Sequence, residues 1–571
     1  MPHKASDFST SELLEALAEK LEGSMIFGCE RRGFLFTTAD MARLSTLLPR
    51  LQTRYLRAQN DLARVNQIPV EVLAHVFDIA KELDWGRIGD QQSGRVVHMS
   101  LVCQHWRSVA LTFPSLWSTI HLRQNAIYDF QFAALCLERS KYASLRIIIS
   151  TLFRGAQIAH FFAPHASRIV EVTLHLLHRH SVDTLPNYVA ETCSFLAPNL
   201  RSFSLCIPMW GAEQPPPLPQ LFGAPNTSVT RLHIESFANP EATHGFRRLT
   251  HLTLTSQGQH ILRGPMEGFL QLLKANPTLE ELFLDDAGPT IDTPYQASTR
   301  VGLPRLRLLY IQTACVEPEF PARLLDRLVL SDQCSVQVHR AVSMAGDSLH
   351  PFTLTAFPAD TTHIGAFLSI DSLKLKTGKS LWLGATARHG GVTASYRLGD
   401  SAFAEIEDRQ WIPAAVDAFL QVLPRPQIRS LWLAMDPAAR RFGVKDCRRV
   451  LEALPSVEEL TVVDDRMAEV VGLLCAEGAN GAVLPAPGLI SLRVVRTTRN
   501  GLDELLQLGE ERKRLGCPVK QLMVSCVDVE FYERKVETLK DYFHTIKVVD
   551  LEHGPKEPDE MVYRQDTSPE Y

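Results

Sequence analysis

No stretch of 18 uncharged apolar residues occurs in the chain, and its opening segment, MPHKASDFSTSELLEALAEKLEG, has no apolar leader region. The expectation is a soluble protein with no membrane partner. Positive charge is not in excess: 59 Lys and Arg face 64 Asp and Glu, a net charge of −5. That balance leaves no basic footprint for a phosphate backbone, so nucleic acid is excluded as the main partner. The eleven cysteines are odd in number, scattered and never arranged as Cys-x-x-Cys. Reduced thiols of the cytoplasm or nucleus are expected, rather than a disulfide framework or a zinc site.

Catalytic signatures are also missing. There is no Gly-x-Ser-x-Gly elbow, no His-Glu-x-x-His helix and no Gly-x-Gly-x-x-Gly turn. Gly378-Lys379-Ser380 ends like a phosphate-binding loop, but the first glycine such a loop needs is replaced by Leu373. Arg388-His389-Gly390 is similar to the nucleophile triplet of histidine phosphatases, without the surrounding context. His175, His178 and His180 stand close together, yet no Cys or carboxylate completes a metal set. No enzyme, metal or cofactor is implied.

The chain does have length and apolar content. Its 571 residues are 45% apolar and include 27 Phe, 11 Tyr and 7 Trp, enough for several domains or one long repeat array. Residues 1–37 read as a short amphipathic helix and a linker. Over 38–66, Met41, Leu44, Leu48, Leu51, Tyr55, Ala58, Leu62 and Val65 step by three and four, a heptad seam. Pro49 interrupts it, and the flanking positions carry no charge code for a partner. The expectation is two helices packed on their own protein, with coiled-coil pairing to another chain as the alternative. A helix follows over 68–80, opened by Pro69, then a polar loop over 81–99. A second helix runs from 100 to 110 and is ended by Phe113-Pro114.

Ile68-Pro69, Glu71, Leu73, Val76-Phe77, Leu101-Val102-Cys103 and Trp106-Arg107 resemble the F-box pattern. The trailing Phe113-Pro114-Ser115-Leu116-Trp117 is similar to the extended F-box of large families in mushroom-forming fungi. The resemblance places the box at 67–120. It implies docking on a Skp-type adaptor, and through it on a cullin-RING ubiquitin ligase, with Ile68, Pro69, Val72, Leu73, Val76, Phe77, Leu101, Val102 and Trp106 as the contact residues.

Beyond the box, apolar-x-x-apolar-x-apolar recurs, as in Ile169/Val172/Leu174, Leu249/Leu252/Leu254, Leu279/Leu282/Leu284, Leu325/Leu328/Leu330, Val457/Leu460/Val462 and Val519/Leu522/Val524. Helix-like runs separate many of the copies. Each such unit must stack on its neighbours to bury its apolar face, so the fold class is α/β, a helical N-terminal part followed by a parallel-sheet solenoid. It resembles the irregular leucine-rich repeats that often follow an F-box, without the usual asparagine after the last leucine. A first arc over 121–332 and a second over 411–552 are expected. Between them, 333–410 reads as antiparallel strands, an insertion in the solenoid or a break between its arcs, and 553–571 as a disordered tail. Strand alternation turns Arg231, His233, His251, Phe283, Tyr310, Trp432 and Arg493 outward, as the surface for a protein substrate.

The function this implies is the non-catalytic substrate receptor of an SCF-type ubiquitin ligase. Two alternatives stay open: a scaffold that uses the F-box-like helices as a solenoid cap, and an enzyme with its site in 333–410.

Overall fold

The computed structural model describes residues 38–82, 92–123, 126–150, 155–175, 185–206, 218–222, 228–235, 245–256, 265–289, 300–313, 319–342, 356–377, 380–387, 390–398, 411–435, 444–463, 467–475, 485–497, 501–526 and 528–550, together with Glu15 and Glu19. The expectations for 1–37, for the 553–571 tail, for His178 and His180, for Gly378-Lys379 and for Arg388-His389 therefore concern residues largely or wholly outside that set. Two compact units result: Met1–Trp117 with Arg139–Lys141, and Ser118–Glu138 with Tyr142–Tyr571.

The first unit is helical. Helix α1 (Thr38–Leu62) runs unbroken through Pro49, where two helices were expected. The lost backbone bond costs about 3 kcal/mol, and good helix formers on both sides carry the helix across it. Of the seam, Leu48, Leu51, Tyr55, Leu62 and Val65 are exposed, so the described residues do not cover it as expected. Helix α2 (Val70–Glu82) begins one residue later than expected: Pro69 caps it, its carbonyl accepting from the Leu73 N–H at 3.0 Å. Helix α3 (Gln92–Val102) takes up residues 92–99 of the segment read as a polar loop. Val96, 2% exposed, gives it one buried anchor that the polar composition concealed. The Cys103 Sγ accepts from the Trp106 N–H at 3.4 Å and starts α4 (Gln104–Thr112), so Leu101 and Val102 close α3 rather than open the Trp106 helix. Leu73, Phe77, Val96, Val109, Ala110, Leu116 and Trp117 form the core.

The second unit is built on strands β1 (Thr119–Leu122), β2 (Leu145–Ile149), β3 (Ile169–His175), β4 (Ser202–Cys206), β5 (Arg231–Glu235), β6 (His251–Thr255), β7 (Glu281–Asp285), β8 (Val301–Leu303), β9 (Leu308–Thr313), β10 (Leu328–Leu330), β11 (Ser335–Val342), β12 (Ser372–Thr377), β13 (Ser380–Thr386), β14 (Gly391–Leu398), β15 (Ser430–Met435), β16 (Glu459–Val463), β17 (Ser491–Thr497), β18 (Gln521–Cys526) and β19 (Thr545–Asp550). Seventeen of them make one sheet. Strands β1 to β7 pair in chain order and are followed by β9 and β11, all parallel. Then come β14, β13 and β12 in reverse order, and β15 to β19 complete the sheet. Only β13 runs antiparallel to its neighbours.

The 333–410 segment thus does not break the solenoid. Strand β11 pairs parallel with β9 and with β14, and β12 pairs parallel with β15, so the meander continues the sheet. Gly390 and Gly391 permit this docking: a Cβ on Gly390 would meet the Asp332 carbonyl oxygen at 2.4 Å, and one on Gly391 the Ala385 oxygen at 2.7 Å. The Leu325/Leu328/Leu330 copy, by contrast, is not part of the large sheet. Its strand β10 pairs with β8 in a separate two-stranded sheet.

The template leucines behave as the period requires. Leu249, Leu252, Leu254, Leu279, Leu282 and Leu284 are all buried, as are their counterparts through β18. Asn276, just past the end of helix α5 (Met266–Lys274), ties neighbouring turns together. It donates through Nδ2 to the Phe246 and Leu272 carbonyls, both at 2.9 Å, and its Oδ1 accepts from the Leu249 N–H at 2.9 Å. Arg512, fully buried, does similar work near the far end, donating to the carbonyls of Cys517, Pro485 and Ala486.

Substituting Asn276→Ala leaves a buried N–H and two buried carbonyls without their side-chain partner. Urea unfolding is expected to show a loss of about 1–3 kcal/mol; an unchanged midpoint would mean the turns hold themselves.

Candidate functional site

Two surfaces carry the residues singled out from the sequence, one in each unit. In the helical unit, α2 divides its apolar residues between two faces. Leu73 and Phe77 are 0% and 2% exposed and hold the helices together. They are corrected from contact residues to core, because α3 and α4 need an apolar seat. Trp106 is half-buried, its ring 4.8 Å from that of Phe77 and its Nε1 donating to Asn66 Oδ1 at 2.7 Å. It braces the unit from within. The opposite stripe, Val72, Val76 and Ile79 at helical spacing, is 46–49% exposed, and Leu101 and Val102 are 66% and 60% exposed. Pro69 is exposed and Ile68 half-buried.

In the sheet unit, strand register aligns one outward residue per strand. The row reads His121, Ile148, Thr173, Ser204, His233, Thr253, Phe283, Tyr310, Gln337, Thr393, Gly384, Lys374, Trp432, Thr461, Arg493, Met523 and Lys547. His233, Phe283, Tyr310, Trp432 and Arg493 all fall in it, while Arg231 and His251 pair in the adjacent row. The structure gathers His233, Phe283, Tyr310, Arg231 and His251 into one patch on β5, β6, β7 and β9. Trp432 stands five strands beyond Tyr310, about 24 Å at the usual strand spacing, and Arg493 two strands further.

The patch has an aromatic stack at its centre. The Phe283 and Tyr310 ring centroids are 4.0 Å apart with planes 2° from parallel, and His339 continues the stack 4.8 Å from Tyr310. Tyr310 donates its hydroxyl to Gln312 Oε1 at 2.7 Å, and His339 Nδ1 lies 2.5 Å from Ser395 Oγ. On β5, His233 Nδ1 is 3.1 Å from Ser204 Oγ, and its Nε2 is 3.4 Å from Thr255 Oγ1. Burial brings both His233 and His339 down to about 4, so neither carries charge at neutral pH.

The next outward row adds acid. Glu235, Thr255, Asp285, Gln312 and His339 follow one another across β5, β6, β7, β9 and β11. Burial, with Asp285 adding to it, raises the Glu235 carboxyl to about 7. Burial and then the neighbouring Asp286 raise Asp285 to about 6. Glu235, Asp285 and His339 do not stand out in the sequence because outward positions are read only beside the template's apolar anchors, and the two acids follow the last anchor while His339 lies in no template copy. Carrying the alternation two residues further along β5 and β7 reaches both acids, and reading SVQVHRAV as a sheet strand reaches His339.

Among the described residues, no group of three or more His, Cys, Asp or Glu side chains could hold a metal ion. None of the described helices is long and apolar enough to cross a membrane.

A raised carboxyl stabilises the fold below its ordinary value near 4.5 and loses that contribution as pH rises through about 7. Glu235→Gln is therefore expected to gain on the order of 1 kcal/mol at pH 8 and little at pH 4. Thermal unfolding at the two pH values checks this, and a loss at pH 8 would contradict it.

No family model matches the chain, and no curated protein matches it. Among solved structures, one chain of the crystal structure of the Rad7 and Elc1 complex in yeast is similar, at 13% identity and a TM-score of 0.27 over 85% of this chain and 98% of that chain.

Proposed function

We propose that this protein is the non-catalytic substrate receptor of an SCF-type cullin-RING ubiquitin ligase. Residues 68–117 dock on a Skp-type adaptor, and the outward face of the large sheet binds a protein substrate. The observation that carries the reading is the apolar surface left over when the F-box-like residues have built their own core. Val72, Val76, Ile79, Leu101 and Val102 are close to half exposed or more, on a unit whose Leu73, Phe77 and Trp106 are already engaged. Valine and leucine side chains held in water on short helices favour a partner, and burying each is worth about 1.5–3 kcal/mol.

The same surface weighs against the cap reading, in which a terminal repeat presents a polar outer face. On the receptor reading the transfer chemistry belongs to other chains. This protein contributes proximity, holding one protein beside another so that an encounter becomes effectively intramolecular. The aromatic stack and the acidic row form the substrate side. The F-box name rests on the residues that resemble the pattern, together with this helical geometry.

The test is co-expression with a Skp-type adaptor followed by pull-down. Val76→Asp combined with Leu101→Asp is expected to abolish the complex while leaving the fold intact, since both side chains already face water. Leu73→Ala acts differently, costing about 2–5 kcal/mol of stability through a core cavity. Retention of the adaptor by the folded double variant, or failure of the wild type to bind any adaptor, would overturn the reading.

A further inference from the structure

The two acids beside the aromatic stack sit where carboxylates are costly. Glu235 is 9% exposed, on the sheet face rather than in the apolar layer, since β5 alternates Arg231, His233 and Glu235 outward against buried Leu232 and Ile234. No cation or hydrogen-bond donor meets its carboxylate among the described residues. Asp285 lies two strands away, roughly 10 Å by strand spacing, and it too meets no cation among the described residues. Thr255 stands between them in the row, and flat π surfaces lie beside it in the next row: Phe283 on the same strand as Asp285, and Tyr310 stacked on it. Burying an unpaired carboxylate costs free energy, and two of them facing one apolar, aromatic surface leave an unfilled demand for positive charge.

We propose that this patch binds an arginine side chain presented by the protein substrate, its guanidinium lying on the Phe283–Tyr310 stack and pairing with Asp285 and Glu235. The inference deepens the receptor reading and rests on it for its biological sense. Arginine fits better than lysine. A guanidinium is planar, weakly hydrated and able to stack on a ring while forking to a carboxylate, whereas an ammonium holds its water more strongly.

The electrostatics give the binding a pH dependence. Glu235 and Asp285 are charged only above about 7 and about 6. A bound guanidinium favours their charged forms, so affinity rises with pH across that range. Among the described residues, the other titratable or charged groups facing these acids are His233 and Cys206 beside Glu235, and Asp286, Tyr310 and His339 around Asp285. Arg231, His251 and Glu281 occupy the row beyond His233 and Phe283. His233 and His339, at about 4, stay neutral between pH 5 and pH 8 and do not compete. Tyr310 is pushed up by burial and then by Asp285, and also stays neutral there.

The experiment measures binding of a labelled Gly-Arg repeat peptide to the full chain by fluorescence anisotropy, with the same peptide carrying citrulline as the uncharged isostere. Binding at pH 8 is expected, weakened about tenfold or more by citrulline, by Asp285→Asn with Glu235→Gln, and by moving to pH 5. Equal binding of the citrulline peptide, or of the double variant, would overturn the proposal, as would no binding at all. The variants' thermal stability supplies a second readout. A higher melting temperature than wild type at pH 8 supports acids that lack a cation in the resting protein. A lower one means that a cation of the chain itself already fills the site, which also overturns the proposal. Adaptor pull-down separates the two readings: adaptor binding without peptide binding sinks this inference alone, and peptide binding without adaptor binding sinks the receptor reading alone.

Discussion

A parallel strand leaves a row of N–H and C=O groups on each edge, and a buried edge without partners would cost more than any side chain could return. In the large sheet each row is met by the neighbouring strand, from β1 at one end to β19 at the other. The backbone ladder is the constraint on which everything else depends. It fixes register, register fixes which side chains turn outward, and one outward residue per strand then forms a row across the whole sheet. Leucine burial supplies the free energy, while the ladder decides where each leucine goes.

The same constraint explains how the large sheet survives a reversal of strand order. After β11 the chain passes over two strand positions, enters β12, and returns through β13 and β14 to the vacant edge of β11. A reversed meander still presents a parallel edge on each side, β14 to β11 and β12 to β15, so neither neighbour registers the change in direction. Glycines at 390 and 391, where any Cβ would strike backbone, let the return strand settle. The aromatic stack profits from this continuity: His339 stands on β11 beside Tyr310 of β9, and Ser395 of β14 meets its imidazole.

Much of this is legible in the residues. The apolar-x-x-apolar-x-apolar period locates most of the strands, and its outward positions name Phe283 and Tyr310 from spacing alone. Long-range pairing is not legible, because nothing local in SVQVHRAV says whether its partner is an antiparallel neighbour or a parallel strand from another turn. The helical unit shows a second limit. Leu73, Phe77 and Val76 read alike as one apolar face, and only packing separates the two that become core from the one left in water. Pro49 shows a third, since a proline's local cost does not reveal whether the helix continues past it. Glu235 and Asp285 stay hidden for yet another reason: a charged residue at a strand end reads as solvated until the sheet around it is known to bury it.

The central claim is that the exposed apolar stripe of the helical unit is a docking surface for a Skp-type adaptor. Hydrogen–deuterium exchange on the full chain, with and without a saturating adaptor, tests it most directly, because it reports where the adaptor sits without altering a residue. The expected result is new protection concentrated in 70–82 and 92–112, with the strands of the large sheet unchanged. Protection confined to the sheet, or none anywhere despite a bound adaptor, would contradict the account.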